Sequence, residues 1–311
     1  MKINITIILV TLMLAISFGS MAQQNAMYSQ YMFNTMAVNP AYAGSRNVVS
    51  ATALHRNQWS GMEGAPKTTT LTIDAPVRNK RVGLGLQLIN DQLGISKTTG
   101  AVLSYAYRIR MDKGSLAFGV QGSGVQYRAD YTSVDLGSGG AYDPAFAENV
   151  NKMLFNFGTG VYYNSDKFYI GLSAQDLLNT RITEYEAPDD AAGGSFKNLH
   201  LFFATGYVFA LDETFKLKPS VLVKGVKGAP VEADINAMLW VNDIIAVGGQ
   251  YRTSADVAGI LEIQATPQIR IGYSYDYSIT RLRNFNSGSH EIMLRYEFGF
   301  ERGKILSPRY F

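Results

Sequence analysis

The sequence has 311 residues, of which 47% are hydrophobic and 17% are charged, and its formal net charge is +3. The charged fraction is low for a soluble protein, since soluble chains average about 25%. The small net charge and the lack of a basic cluster argue against nucleic acid as a partner.

Residues 1–22 have the features of a cleaved export signal. Lys2 supplies the positive start, residues 3–18 are almost entirely apolar, and Ser20, Met21 and Ala22 form a small-x-small cleavage site. An N-terminal membrane anchor is the alternative, but the apolar run is shorter than the ~20 residues of a spanning helix. We therefore expect a mature chain that begins at Gln23.

Residues 23–46 are polar and aromatic and follow no clean period, so an irregular segment is predicted before the sheet. Its length suits a plug inside a barrel lumen, and an ordered periplasmic arm is equally compatible with the sequence. One motif stands out in it: Asn39, Pro40, Ala41, Tyr42, Ala43 and Gly44.

The rest of the chain predicts an all-β fold, a transmembrane antiparallel up-and-down β-barrel over residues 47–301. No window after residue 23 approaches the ~18 consecutive apolar residues of a spanning helix, and a closed barrel is the other structure that satisfies every backbone group in lipid. The 19 Tyr, 16 Phe and 30 Gly suit long strands that end in aromatic girdles. The sequence contains no cysteine, which excludes disulfides and thiolate metal sites.

Alternation of apolar and polar residues identifies the strands, because successive side chains leave opposite faces of a sheet. The last two runs are the clearest, with apolar odd positions in 269–279 and apolar even positions in 292–300. Each run has the length of about 9 to 11 residues that crosses a bilayer. Fourteen strands are predicted, at 48–59, 68–76, 82–90, 96–111, 116–127, 153–163, 168–177, 199–211, 215–226, 231–241, 244–252, 257–266, 269–280 and 290–301.

The connections between these strands alternate in length. Bacterial outer-membrane barrels have short periplasmic turns and longer outward loops. Every second connection is a short turn cluster, with 75–81 somewhat longer, whereas the others include the long loops 128–152 and 176–198. Residues 302–311 are then expected to form a periplasmic tail.

Inward-facing charges are predicted to form a network in the lumen. Lys216, Lys218 and Lys224 on one strand are expected to face Glu232 and Asp234 on the next. Pairing of opposite charges offsets the desolvation cost of each ion, so the network is expected to close and stiffen the barrel. A polar channel also carries charged lumen residues, which leaves that alternative open. The last three strands add Glu262, Arg270, Asp276, Glu291, Arg295 and Glu297.

No pattern indicates an enzyme, a cofactor or a metal site. His55, His200 and His290 lie far apart in sequence, and His290 does not begin a His-Glu-x-x-His motif. Gly83 and Gly85 lie inside a predicted strand, where they are expected to permit curvature or close approach. In the second long loop, Asp189 and Asp190 are interpreted as solvated acids rather than a calcium site.

Motifs spread along the chain resemble the PorP/SprF family of the Bacteroidetes type IX secretion and gliding system. One position departs from the pattern, since Thr35 follows Asn34 where the family often has Pro. The matching motifs are Tyr-Ser-Gln-Tyr-Met-Phe-Asn at 28–34, the motif at 39–44, Arg-Asn-Gln-Trp at 56–59, Gly-Ala-Pro at 64–66, residues 83–94, Gly-Ser-His-Glu-Ile-Met-Leu at 288–294, and Ser307, Pro308, Arg309, Tyr310 and Phe311.

The resemblance implies an outer-membrane barrel that works with the type IX apparatus and is not an enzyme. Members associate with the periplasmic ring lipoprotein complex, or with a secreted adhesin or other cargo that they export or hold at the cell surface. Outer-membrane lipid would surround the barrel.

The two terminal motifs are then expected at the periplasmic rim. There they would dock a partner, or act as a plug and an insertion signal. A channel or hydrophobic-ligand transporter similar to the fatty-acid transporter barrels is the alternative function. The residues concerned are Asn39, Pro40, Tyr42 and Gly44, with Ser307, Pro308, Arg309, Tyr310 and Phe311.

Overall fold

The computed structural model describes residues 28–77, 79–134, 146–178, 199–226 and 229–298. The predicted signal peptide, the C-terminal tail and the central parts of both long loops lie outside these ranges. The strands are β1 (Val49–Asn57), β2 (Lys67–Val77), β3 (Val82–Leu93), β4 (Ser96–Met111), β5 (Gly114–Ala129), β6 (Val150–Asn164), β7 (Phe168–Gln175), β8 (His200–Tyr207), β9 (Phe209–Ala210), β10 (Phe215–Val226), β11 (Glu232–Val241), β12 (Ile245–Arg252), β13 (Asp256–Gln264), β14 (Ile269–Ser278) and β15 (Ser289–Phe298).

The strands form one antiparallel sheet that closes on itself. Each strand pairs with its neighbours in sequence, and β1 pairs with β15 to complete the ring. β8 and β9 are two parts of one wall strand, because both pair with β10 in a single register: Ser220 lies opposite Gly206, and Lys216 lies opposite Ala210. Over the described residues, the barrel therefore has the predicted fourteen strands.

Side chains alternate between the outer and inner faces of the wall. Leu103 is 65% exposed and the next residue, Ser104, is 5% exposed. Likewise, Ile292 is 54% exposed between Glu291 and Met293, which are both fully buried. The outer face is thus a band of exposed aliphatic and aromatic side chains, as a lipid-facing surface requires.

The two ends of the barrel differ in the length of their connections. At one end, called the short-turn end, no connection within the described chain exceeds the four residues of 211–214. The other end, called the long-loop end, carries the connections 130–149 and 176–199. Not every connection there is long, since β3 extends to Leu93 and meets β4 through Gly94 and Ile95 alone, with Gly94 at a φ of 55°.

Helical structure in the described residues is confined to short 3-10 turns. None of these helices is long and apolar enough to cross a membrane. The protein core lies inside the ring of strands, where residues before β1 pack against inward-facing side chains.

Candidate functional site

The N-terminal segment lies inside the barrel. We call residues 28–46 the plug, and every one of them except Ala37 is buried. Three 3-10 turns fold it compactly: Tyr31–Phe33, Thr35–Ala37 and Pro40–Tyr42. The plug descends from the long-loop half of the lumen to the short-turn end, where it continues into β1.

Glu291 of β15 anchors the beginning of the plug. Its carboxylate accepts the backbone N–H groups of Ser29 at 3.0 Å and Gln30 at 2.8 Å, and its backbone oxygen accepts the Gln30 side-chain amide at 3.1 Å. The Ser29 hydroxyl donates to Asp276 of β14 at 2.5 Å. Glu291 and Asp276, which were predicted as members of the lumen network, thus accept hydrogen bonds from the first residues of the plug.

Arg56 of β1 neutralises both of these acids. Its guanidinium nitrogens lie 2.7 Å from the Asp276 carboxylate and 3.1 Å from the Glu291 carboxylate, and all three side chains are almost fully buried. Sequence analysis missed Arg56 because β1 alternates poorly. Arg56 lies at an even position of β1, like the inward-facing Thr52 and Leu54, and this shared parity could have identified it as a lumen residue.

A second ion cluster lies in the same half of the lumen. Lys224 of β10 contacts Glu232 at 2.5 Å and Asp234 at 2.9 Å, as predicted from their parity. Arg252 of β12 adds contacts to Asp234 at 2.9 Å and to Asp256 at 3.1 Å. Arg252 and Asp256 were not predicted, although both lie on the inward parity of their strands.

Lys216 and Lys218 do not face Glu232 and Asp234, so this part of the prediction is wrong. The strand register places Lys216 opposite Trp240 and Lys218 opposite Met238. Lys216 instead contacts Asp243 in the β11–β12 turn at 2.7 Å. Lys218 is buried, with its ammonium 5.6 Å from the centre of the Tyr169 ring.

The remaining predicted charges meet in the short-turn half of the lumen. Arg270 contacts Glu262 at 2.8 Å and lies over the Trp240 ring at 5.1 Å. Arg295 donates to the Thr52 hydroxyl at 3.1 Å. Within the described chain, this half of the lumen carries more bases than acids, whereas the long-loop half carries more acids than bases.

The end of the plug is fixed by three charged residues of the wall, Glu297, Asp74 and Arg108. Arg46 contacts Glu297 at 2.7 Å, and Asp74 accepts the Gly44 N–H at 2.8 Å. Arg108 donates to the backbone oxygens of Ala43 at 3.0 Å and Gly44 at 3.1 Å. Glu297 thus supplies the counter-charge of the buried Arg46 guanidinium.

The motif at 39–44 holds the plug against the wall. Asn39 caps the turn Pro40–Tyr42 by accepting the Ala41 N–H, and its amide donates to the backbone of Val161 at 3.0 Å. The Tyr42 ring packs edge-on against Tyr162 with centroids 5.4 Å apart. All four motif residues predicted as plug or docking residues, Asn39, Pro40, Tyr42 and Gly44, lie inside the lumen.

Glycines in the wall allow the plug to approach the strands closely. A Cβ atom at Gly83 would overlap the backbone oxygen of Ala43, and one at Gly119 would overlap the backbone of Ala41. Gly44 has a φ of 70°, which L-residues rarely adopt. The prediction of close approach at Gly83 is therefore confirmed.

Two other predictions concern residues away from the plug. Ser307, Pro308, Arg309, Tyr310 and Phe311 lie outside the described residues, and so do Asp189 and Asp190. Across the described ranges, no group of three or more His, Cys, Asp or Glu residues is arranged so that it could hold a metal ion. His55 instead contacts Thr69, and His290 contacts Tyr273.

The family model described as type IX secretion system membrane protein PorP/SprF matches residues 20–296. The chain belongs to this family. The family assigns this PorP/SprF barrel to the outer membrane and to the type IX secretion machinery. No match was found among curated protein sequences.

Solved outer-membrane proteins are similar to this PorP/SprF chain at low sequence identity. The Acinetobacter baumannii outer membrane protein Omp33 is 8% identical with a TM-score of 0.48, over 81% of this chain and 98% of that one. The CymD monoaromatic hydrocarbon channel is 12% identical with a TM-score of 0.46, over 88% and 93%. A Pseudomonas aeruginosa FadL homologue is 12% identical with a TM-score of 0.42, over 92% and 97%.

Proposed function

We propose that this PorP/SprF protein is a closed anchoring barrel of the type IX secretion system rather than a channel. The observation that carries the proposal is the attachment of the plug to the wall by polar contacts on many sides. Plug residues hydrogen-bond or ion-pair with β1, β2, β4, β6, β7, β11, β14 and β15.

The two ends of the barrel would serve different partners. Short turns face the periplasm in bacterial outer-membrane barrels, so the short-turn end would bind the periplasmic ring lipoproteins. The long loops 130–149 and 176–199 would contact the secreted adhesin or other cargo outside the cell. In this proposal the protein has no catalytic role, and it acts by holding other proteins in place.

The Glu291 contacts support a plug that stays in place. Each backbone N–H of Ser29 and Gln30 donates to a carboxylate, and hydrogen bonds to charged groups contribute about 1.5–3 kcal/mol each. Removing the plug would take away the donors of Ser29 and Gln30 that the carboxylates of Glu291 and Asp276 accept, and among the described residues Arg56 would remain in contact with both.

Planar-bilayer conductance of the purified protein, together with affinity purification from native outer membranes, tests this function. We expect no steady open pore, and we expect type IX ring lipoproteins or a large surface protein to co-purify. A steady conductance with no co-purifying component would instead support the channel or hydrophobic-ligand transporter.

A further inference from the structure

Charge is distributed unevenly around the rim at the short-turn end. On nearly the opposite side of the ring from the β2–β3 turn, the β9–β10 turn carries the acids Asp212 and Glu213. The β2–β3 turn, the end of β4 and the β4–β5 turn form the basic side, where the described residues include one acid, Asp112. The exposed bases of this basic side are Lys80, Arg81, Arg110 and Lys113.

A cavity of about 670 Å³ lies on the basic side, between the β2–β3 turn and the end of β4. Arg81, Arg108 and Arg110 line it. Arg110 donates to the backbone oxygen of Asn79 at 3.0 Å, and Arg108 donates to that of Lys80 at 3.4 Å. These bonds hold two guanidinium groups against the turn.

The bases of this cavity and the neighbouring Lys80 form no close ion pair with a described acid. Among the described residues, no carboxylate lies within 4.0 Å of the charged groups of Lys80, Arg81, Arg108 or Arg110. The Arg108 side chain is 4% exposed, and its Nε atom has no acceptor in the part of the chain that is described. Guanidinium groups bind carboxylates through paired hydrogen bonds, so this arrangement suits an acidic ligand.

Strand parity places Arg108 and Arg110 of β4 on the side of the barrel mouth, whereas Lys80 and Arg81 lie in the β2–β3 turn. Tyr107, Ile109 and Met111 are the exposed apolar residues at the end of β4, so they form its lipid-facing row. Arg108 and Arg110 alternate with them and therefore lie on the side of the lumen. Tyr107 and Ile109 line the lipid side of the same cavity, whereas Arg108 and Arg110, bonded to the backbone of the β2–β3 turn, line its side toward the mouth. A periplasmic protein can reach that second side from the mouth.

We propose that the basic side of the rim binds an acidic segment of a periplasmic partner protein, with aspartate or glutamate carboxylates on Arg81 and Arg110. The proposal rests on the anchoring function and specifies which side of the rim the partner occupies. Charge argues against the chain's own C-terminal residues as the ligand, because 301–311 contain three bases and one acid: Arg302, Lys304, Arg309 and Glu301.

Binding of a fluorescent hexaglutamate peptide to the full-length protein in zwitterionic nanodiscs tests the proposal. The rim variant Lys80→Glu/Arg81→Glu/Arg110→Glu leaves Arg108 in place, because Arg108 also holds the plug. We expect this variant to bind hexaglutamate at least about tenfold more weakly and to bind a hexalysine peptide instead. The matched control, Lys67→Glu/Lys97→Glu/Arg283→Glu, reverses three exposed charges at the long-loop end and should bind hexaglutamate like the wild type.

Three results would overturn the proposal. They are equal hexaglutamate binding by the wild type and the rim variant, competition by inorganic phosphate as strong as by the peptide, and enrichment of phosphatidylglycerol without peptide binding. Affinity purification then tests the rim proposal separately from the anchoring function. If both the wild type and the rim variant retrieve the type IX ring, the rim proposal is wrong and the anchoring function stands. If the wild type retrieves nothing, the anchoring function itself is wrong.

Discussion

Arg56 of β1 and Glu291 of β15 lie directly opposite each other in the pair of strands that closes the barrel, with Nη1 and Oε2 3.1 Å apart. The same carboxylate accepts two backbone N–H groups of the plug. The seam of the barrel and the anchor of the plug are therefore one site.

Replacing Arg56 with Gln should strongly destabilise the barrel. Asp276 and Glu291 would remain buried without their shared cation, and loss of one partner of a buried pair costs about 3–5 kcal/mol. The measurement is the urea unfolding midpoint in detergent, followed by heat-modifiable gel mobility. Arg283→Gln, at an exposed loop arginine, is the control and should change stability by less than about 0.5 kcal/mol. Equal midpoints for both variants would contradict the assigned role of Arg56.

A methyl group added at Gly119 should push the plug away from the wall. The new Cβ would overlap the backbone of Ala41, and overpacking of this kind costs about 1–3 kcal/mol. Limited proteolysis should cut the plug of Gly119→Ala faster than that of the wild type. At Gly259 a Cβ would meet no atom within 4 Å, so Gly259→Ala should digest like the wild type. Identical digestion of all three proteins would show that the plug does not depend on this close contact.

Single cysteines should report the orientation of the barrel, since the natural chain has none. A membrane-impermeant maleimide added to intact cells should label Ser254→Cys and Leu282→Cys, which lie in connections at the long-loop end. Lys113→Cys and Asp166→Cys, in short turns, should react only after the outer membrane is permeabilised. The opposite pattern would reverse the assignment of the two ends.

Deletion of residues 307–311 should impair assembly or partner docking. Phe311→Ala separates these roles, because loss of a terminal aromatic insertion signal lowers the amount of barrel in the outer membrane, whereas loss of a docking motif lowers secretion at normal barrel amounts. Quantitative immunoblots of outer membranes and of secreted protein provide the measurement. Normal levels of both in the deletion strain would refute the prediction.

Strand number and wall polarity could be predicted from sequence because both depend on a two-residue period. The period assigns each side chain to a face, but it does not set how far along the barrel two strands are offset. For this reason Lys224 was correctly matched with Glu232 and Asp234, whereas Lys216 was not. Its actual partner, Asp243, belongs to a turn, where parity gives no information.

The two-residue period also could not predict the contacts of the plug. Residues 28–46 have no regular pattern, so their partners depend on three-dimensional proximity alone. Arg56 was hidden because Ala51 and Ala53 give the outer face of β1 little apolar character. The motif at 39–44 identified residues that hold the plug. The hydrogen bond from the Asn39 amide to the Val161 backbone oxygen, however, could be found only from the folded barrel.

The link from Ser29 to Glu291 spans 262 positions of the chain. Ribosomes synthesise Ser29 early and Glu291 late, so a polypeptide truncated before β15 lacks the carboxylate that accepts the backbone N–H groups of Ser29 and Gln30. The Glu291 carboxylate thus joins the strand pair that closes the barrel to the plug, and both contacts form only after β15 has been made. Products that end before β15 would remain open and susceptible to periplasmic proteases.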